Sequence, residues 1–362
     1  MGTKNNTNLF FRDKPVFGLD IGHDSIKVMQ VDHTTLSSPN GARLVGYGAI
    51  TFDSSAIKNG IIEKPEIIAT AIMNLFKTQL IGDITTRRVV VSIPSYRTYS
   101  RPLQLPMIKP KELKESVELE MQQYIPVPLE ELYTDFTVTS KTPEELNIHA
   151  VAAPKTIVDS YTLLMSILGL EPMLIETSMN SATRLFSKDS NSDLVSVIID
   201  FGSESSDISI FDNSILVTGI VGSGGKTFTN LIHKKLDVTE AEADMIKTKY
   251  GLNLSKKQKQ IHEALEPKLH DIVREIQRMS RYYEERFGIN KPISQVITIG
   301  GGANMPGLSD YLVSELRMPV RTYDPWNRLS YDGLQPPSQA ERSTYTTVAG
   351  LSLCNPQEVF RI

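Results

Sequence analysis

Asp20-Ile21-Gly22 and Asp200-Phe201-Gly202 each stand between an apolar run and a short polar turn that leads into a second, alternating run. Asp20 and Asp200, Gly22 and Gly202, and Ser25 and Ser205 all differ by 180 positions. In a strand, turn, strand unit of this kind, backbone N–H groups of the turn converge on one concavity, which is how tight turns bind phosphate oxygens. A single copy has a plainer explanation, because Asp and Gly favour turns for their own reasons. Two copies at matching positions can face each other across a cleft, where Asp20 and Asp200 would supply paired carboxylates, direct or through water, for a hard cation.

A third stretch, Val296 to Leu308, reads strand, glycine turn, helix start, with Gly300-Gly301-Gly302-Ala303 at the turn. Bare backbone there lets a flat ligand lie close, which suits adenine or its ribose. Gly222-Ser223-Gly224-Gly225-Lys226-Thr227 ends like a phosphate loop of the G-x-x-x-x-G-K-[ST] kind, but Ile220 stands where that motif needs its first glycine. It is not that loop.

The elements that must position these residues repeat as well. The first half reads as strands over Val16 to Ile21, Ser25 to Val31 and Leu44 to Thr51, then a helix over Pro65 to Leu80. The second reads as strands over Val195 to Phe201, Ser206 to Phe211 and Ser214 to Thr218, then a helix over Lys226 to Leu236. A further strand and helix follow in each half, at Arg88 to Ile93 and Thr156 to Leu168, and at Val296 to Ile299 and Leu308 to Leu316. This order implies a duplicated α/β architecture of two lobes, each a mixed sheet flanked by helices.

Two stretches lack a counterpart and read as inserted subdomains, 96–150 in the first lobe and 237–288 in the second. The first carries three extended pieces around a helix near Lys111 to Tyr124, whose Leu113, Val117, Met121 and Tyr124 share one face; Leu119 lies off that face between Glu118 and Glu120. In the second, Leu269, Ile272, Val273, Ile276, Met279 and Tyr283 form a packing stripe. The expected organisation is a leader over 1–14; a first lobe of 15–95, 151–192 and 343–362; and a second lobe of 193–236 and 289–342. Asp324 to Arg342 reads as a surface loop before a last helix, Thr347 to Leu353.

Composition narrows the classes. A net charge of −4 and 22% charged residues give no pull toward nucleic acid. One cysteine, Cys354, makes neither an internal disulfide nor a Cys/His metal cluster, so a reducing, cytoplasmic setting is expected. No apolar run approaches the roughly 20 residues of a membrane span.

On these segments the chain resembles the actin, Hsp70 and sugar-kinase superfamily, with Gly18 to Val28 and Val197 to Ile210 like its two phosphate motifs and Gly300 to Ala303 like its adenosine motif. The first insertion is similar to the relocated subdomain of the FtsA branch. Arg101-Pro102-Leu103-Gln104-Leu105-Pro106, Glu118-Leu119-Glu120 and Tyr124-Ile125-Pro126-Val127-Pro128 resemble the PilM family of type IV pilus assembly proteins.

The resemblance implies an ATP-binding component, peripheral to the inner membrane, that grips the cytoplasmic N-terminal peptide of a PilN-like membrane protein; it leaves self-association open. It also implies that Asp20 and Asp200 hold Mg2+, that Gly22, His23, Ser25 and Lys27 line the phosphates, and that Gly202, Ser203 and Ser205 contact them from the other side. Gly224, Gly225, Lys226 and Thr227 would lead into the nucleotide-facing helix, Asp244 and Lys247 would meet ribose or base, and Gly300, Gly301, Gly302 and Ala303 the adenosine. Glu176 and Asn180 are the candidates to position water, which implies slow ATPase activity at most. Two other readings are an FtsA-like division protein, which would end in an amphipathic helix, and a sugar-kinase-like enzyme, which would need a general-base carboxylate.

Overall fold

The computed structural model describes residues 14–38, 41–186, 194–288, 291–331 and 333–355. The leader expected at 1–14 lies outside the described residues except for Lys14, as does the end of the chain from residue 356. Two compact units form, one from residues up to Pro94, Thr156–Leu185 and Asp324 onward, the other from Ser95–Lys155 and Phe186–Tyr323. Residues 96–150, grouped from the sequence with the first lobe, fall in the second unit.

In chain order, β1 (Phe17–Ile21) turns into β2 (Ser25–Val31), which pairs antiparallel with β1 and with β3 (Ala42–Thr51). A two-residue ladder, β4 (Ile57–Lys58) with β5 (Ile61–Ile62), precedes α1 (Pro65–Asn74). Pro65 suits the first helical turn, whose N–H groups have no partner anyway, and Ile68, Ala69, Ala71 and Ile72 face the core. The expected run to Leu80 is shorter: the helix ends at Asn74, a wider turn covers Leu75–Gln79, and Leu80 opens β6 (Leu80–Gly82), which pairs with β3. β7 (Arg88–Ile93), buried throughout, runs parallel to β1.

The chain then builds a small module of the second unit. β8 (Tyr99–Pro106), α2 (Pro110–Gln122), β9 (Leu132–Lys141) and β10 (Glu145–Pro154) form a three-stranded antiparallel sheet in the order β8-β10-β9 with the helix on one face. Leu113, Val117 and Met121 join Leu103, Leu105, Leu132, Leu146 and Ile148 in its core. Tyr124, expected on the same helical face, lies beyond the end of α2 and is half exposed, with the Arg101 guanidinium carbon 3.7 Å from its ring centroid. Burial pushes the His149 imidazole down to about 4, and the neutral ring pairs with the Ser100 hydroxyl at 2.7 Å.

α3 (Lys155–Ile167) returns to the first unit and buries Ile157, Tyr161, Leu164 and Met165. It leads to β11 (Glu171–Thr177), parallel to β7, and α4 (Ser178–Phe186), neither of which was read from the sequence.

The second unit's sheet repeats the first in connectivity: β12 (Ser196–Phe201), β13 (Ser206–Asp212) and β14 (Ser214–Val221) are antiparallel neighbours. Three helices follow, α5 (Gly225–Leu236), α6 (Glu240–Lys249) and α7 (Gln258–Phe287), whose predicted stripe from Leu269 to Tyr283 is buried on the sheet. β15 (Gln295–Ile299) lies parallel to β12; α8 (Leu308–Leu316) then leads to β16 (Val320–Thr322). The orders β3-β2-β1-β7-β11 and β14-β13-β12-β15-β16 are therefore the same fold element used twice.

Asp324 to Arg342 is not simply a surface loop. It opens with a short turn that buries Trp326 against Tyr47, Tyr331 and Tyr345, and β17 (Leu329–Ser330) extends the first sheet beside β3. Burial of one large aromatic outweighs the polar, Pro-rich composition of the stretch. α9 (Thr346–Ser352) closes the first unit with all seven residues buried.

Candidate functional site

The first hairpin places Asp20 near the end of β1, opposite Lys27 on β2, and the Gly22 N–H closes the turn by donating to the Ser25 carbonyl at 2.9 Å. The Ser92 hydroxyl, buried on β7, donates to Asp20 Oδ1 at 2.7 Å and fixes that carboxylate. Lys27 Nζ donates to Ser25 Oγ at 3.1 Å, so Ser25 and Lys27 form one polar pair on the turn. His23 is half buried, whereas Asp24 is exposed. Ser92 was missed from the sequence, where its one signal is a lone hydroxyl in Val89-Val90-Val91-Ser92-Ile93.

The second hairpin repeats this turn, with the Gly202 N–H 3.0 Å from the Ser205 carbonyl. Its cross-strand partner differs: Asp200 faces Asp207 where Asp20 faces Lys27. Burial and the Asp200 charge push Asp207 up to about 7, against hydrogen bonds from the Ser205 hydroxyl and the Tyr96 backbone. Burial and the neighbouring charge thus both favour the protonated Asp207 carboxyl, and the two facing acids need not both be charged.

The loop before α5 is pinned to this hairpin. The Gly225 and Lys226 N–H groups donate to the Gly202 and Ser203 carbonyls, both at 2.9 Å, and a Cβ on Gly224 would come within 2.4 Å of the Ser203 oxygen. Those two N–H groups are therefore occupied, and the Lys226 ammonium sits 3.9 Å from Glu204. Thr227 caps the helix start through a 3.5 Å contact with the Gly224 N–H. Ser223, not singled out from the sequence, is buried and its hydroxyl has no hydrogen-bond partner among the described residues. An unsatisfied buried hydroxyl costs about 1–3 kcal/mol unless something else bonds it.

Asp244 and Lys247 meet on α6. Lys247 Nζ donates to Asp244 Oδ1 and Thr229 Oγ1, each at 2.7 Å, and to the Gly225 carbonyl at 3.1 Å, which ties α6 to the start of α5. The glycine turn after β15 approaches the second hairpin as closely. Gly300 has φ of +81°, and a Cβ there would lie 2.4 Å from Asp200 Oδ1. A Cβ on Gly302 would lie 2.8 Å from that of Phe201, while Ala303 is buried and Gly301 exposed. Gly202, Ser203, Ser205, Gly224, Gly225 and Gly300 thus converge on the carboxyl end of β12.

Glu176, by contrast, is not set up as a base. Both of its oxygens accept from the Arg184 guanidinium, Oε2 at 2.7 Å, and that ion pair is largely buried. Asn180 stands in the first turn of α4, where its N–H donates to the Thr177 hydroxyl at 3.3 Å. No group of three or more His, Cys, Asp or Glu among the described residues could cage a metal. No helix among them is long and apolar enough to cross a membrane.

Comparison with solved structures gives the same fold. A chain of the "PilM-PilN type IV pilus biogenesis complex" is similar with a TM-score of 0.80 at 22% identity, over 94% of this chain and 98% of that one. Ethanolamine utilization protein EutJ from Carboxydothermus hydrogenoformans gives 0.55 at 12% identity, over 94% and 90%. MreB 5 of Spiroplasma citri bound to AMPPNP gives 0.52 at 12% identity, over 93% and 94%. These likenesses establish an actin-like ATPase fold. The family model described as type IV pilus assembly protein PilM matches residues 18–355, all but the ends of the chain, and the protein belongs to that family.

Proposed function

We propose that this chain binds Mg-ATP through its two hairpins and, on the three-stranded module, the cytoplasmic N-terminal peptide of a PilN-like membrane protein. It would thereby act as an actin-like component of a type IV pilus assembly platform, held at the inner membrane from the cytoplasmic side. Membership of the PilM family over residues 18–355 is the observation that carries this reading. The duplicated turns support its nucleotide half. Asp20 and Asp200 end equivalent strands, and two carboxylates suit Mg2+, which keeps most of its ligands as water and phosphate oxygens.

Gly22, His23, Ser25 and Lys27 on one turn, and Gly202, Ser203 and Ser205 on the other, are assigned to the phosphates. Gly300 to Ala303, with Asp244 and Lys247, are assigned to the nucleoside. Gly224, Gly225, Lys226 and Thr227 act mainly by holding the α5 start against the second turn, leaving the Ser223 hydroxyl as a further donor for a bound oxygen. With Glu176 committed to Arg184, Asn180 is left to orient water, and an amide cannot take its proton. Turnover should be slow or absent.

The partner half draws on the module's free edge. β9 is an outer strand of its sheet, and extended peptides add to such edges through main-chain hydrogen bonds. Tyr133 and Val138 on β9, with Leu119 at 58% exposed on α2, offer apolar contacts. Fluorescence anisotropy of a labelled peptide from the partner's cytoplasmic start should show saturable binding. Leu119→Asp and Tyr133→Asp, both at exposed positions, should together weaken it by about tenfold or more. Unchanged affinity in the folded double variant would place the partner elsewhere.

A further inference from the structure

The turn between α6 and α7 concentrates two properties that, Lys247 apart, the nucleotide and peptide sites do not use. From Met245 to His262 the chain carries five lysines and no acid, in a protein of net charge −4. Lys247 is consumed inside the unit, but Lys249, Lys256, Lys257 and Lys259 are exposed. Among them projects Leu254, at 90% the most exposed of the large hydrophobic residues described, and Met245 at 63% lies on the preceding helix.

This is a presented tip and not a slack loop. Gly251, at φ of +48°, reverses the chain after α6. Leu252, two residues before Leu254, is buried in the core; its N–H donates to the Pro306 carbonyl at 2.7 Å, and its own carbonyl accepts from Gln258 Nε2 at 3.1 Å. The Asn253 N–H closes the turn on the Tyr250 carbonyl at 2.9 Å. The neighbouring acids are already engaged: Glu242 caps α6 through Thr239 and feels Lys257, and Glu263 is bound to Lys235 at 2.9 Å.

We infer that this tip is a direct contact with an anionic phospholipid surface, beyond the attachment through a partner proposed above. A leucine that stands clear of its neighbours on a convex turn has no groove in which to bury a peptide, whereas a fluid headgroup layer accepts a convex apolar apex. The surrounding lysines reach the phosphates while their methylene stems follow the leucine toward the interface. The contact involves the second unit alone and does not require nucleotide or peptide.

Co-sedimentation of the full chain, without partner protein, tests it. Vesicles of phosphatidylglycerol mixed with phosphatidylcholine should bring the protein down, and phosphatidylcholine alone should not. Each of Lys256→Ala and Lys257→Ala should weaken binding roughly fivefold, the equivalent of about 1 kcal/mol per lysine near a charged surface. Leu254→Asp should weaken it at least as much at an unchanged melting temperature, since the side chain is 90% exposed. Failure of the wild type to sediment with anionic vesicles, equal binding to both vesicle types, or binding indifferent to Leu254→Asp overturns the inference and leaves the nucleotide and peptide readings untouched.

Discussion

Gly300→Ala is expected to cost about 3 kcal/mol, of which roughly 1–3 kcal/mol comes from forcing an L side chain into a positive-φ, extended-ψ conformation open essentially to glycine alone and any remainder from overpacking. The backbone there has φ of +81°, and the new methyl would meet Asp200 Oδ1 at 2.4 Å and the Phe201 carbonyl oxygen at 2.8 Å. The Asp200 carboxylate can rotate aside, but the Phe201 carbonyl is backbone, so β12 or the glycine turn must shift as well. At roughly 2–4 °C per kcal/mol the melting temperature should fall by about 6–12 °C. Because the displaced atom belongs to Asp200, Mg-ATP should also fail to stabilise what folded protein remains. Gly222→Ala, with no atom within 4 Å of the added methyl, is the control and should stay within about 0.5 kcal/mol of the parent. A Gly300→Ala protein that melts like Gly222→Ala would show that the glycine turn does not bear on Asp200.

The second large effect is on ligand linkage. Mg-ATP at a hundredfold excess over its dissociation constant should stabilise the parent by about 2.7 kcal/mol, because it binds only the native state. Asp20→Ala and Asp200→Ala should each lose most of that increment. The increment is the quantity to compare, not the melting temperature itself. Asp20→Ala strips the buried Ser92 hydroxyl of its acceptor, which costs about 1–3 kcal/mol with or without ligand. Asp200→Ala instead removes one of two facing acids and relieves the repulsion that adds to burial in raising Asp207. If both variants gain as much from Mg-ATP as the parent, the duplicated hairpins are architecture only.

Much of this was legible because it is local or periodic. The 180-residue repeat identified both hairpins, and the observed registers keep Gly22 with Ser25 and Gly202 with Ser205 as turn partners. The apolar stripe on α7 and the Asp-x-Gly turns needed only spacing and turn chemistry. What escaped depends on residues that topology brings together from far along the chain. Ser92 meets Asp20 only because β7 lies parallel to β1, and the Asp200–Asp207 pair shows its strain only once β13 is buried. Glu176 reads as a free carboxylate until the β11 to α4 turn sets Arg184 against it. Trp326 was hidden in a Pro-rich stretch whose composition says surface, and its aromatic partners Tyr47 and Tyr345 come from distant segments. Tyr124 missed its face because α2 stops at Gln122, and angular periodicity means nothing past the end of a helix.

Isothermal titration of the full-length protein with ATP, in Mg2+ and then in excess chelator, tests the central claim most directly. Saturable one-to-one binding that weakens markedly without the cation, and that Asp200→Ala removes, is the predicted result. Absence of any binding heat or competition by millimolar Mg-ATP in the folded parent would contradict it.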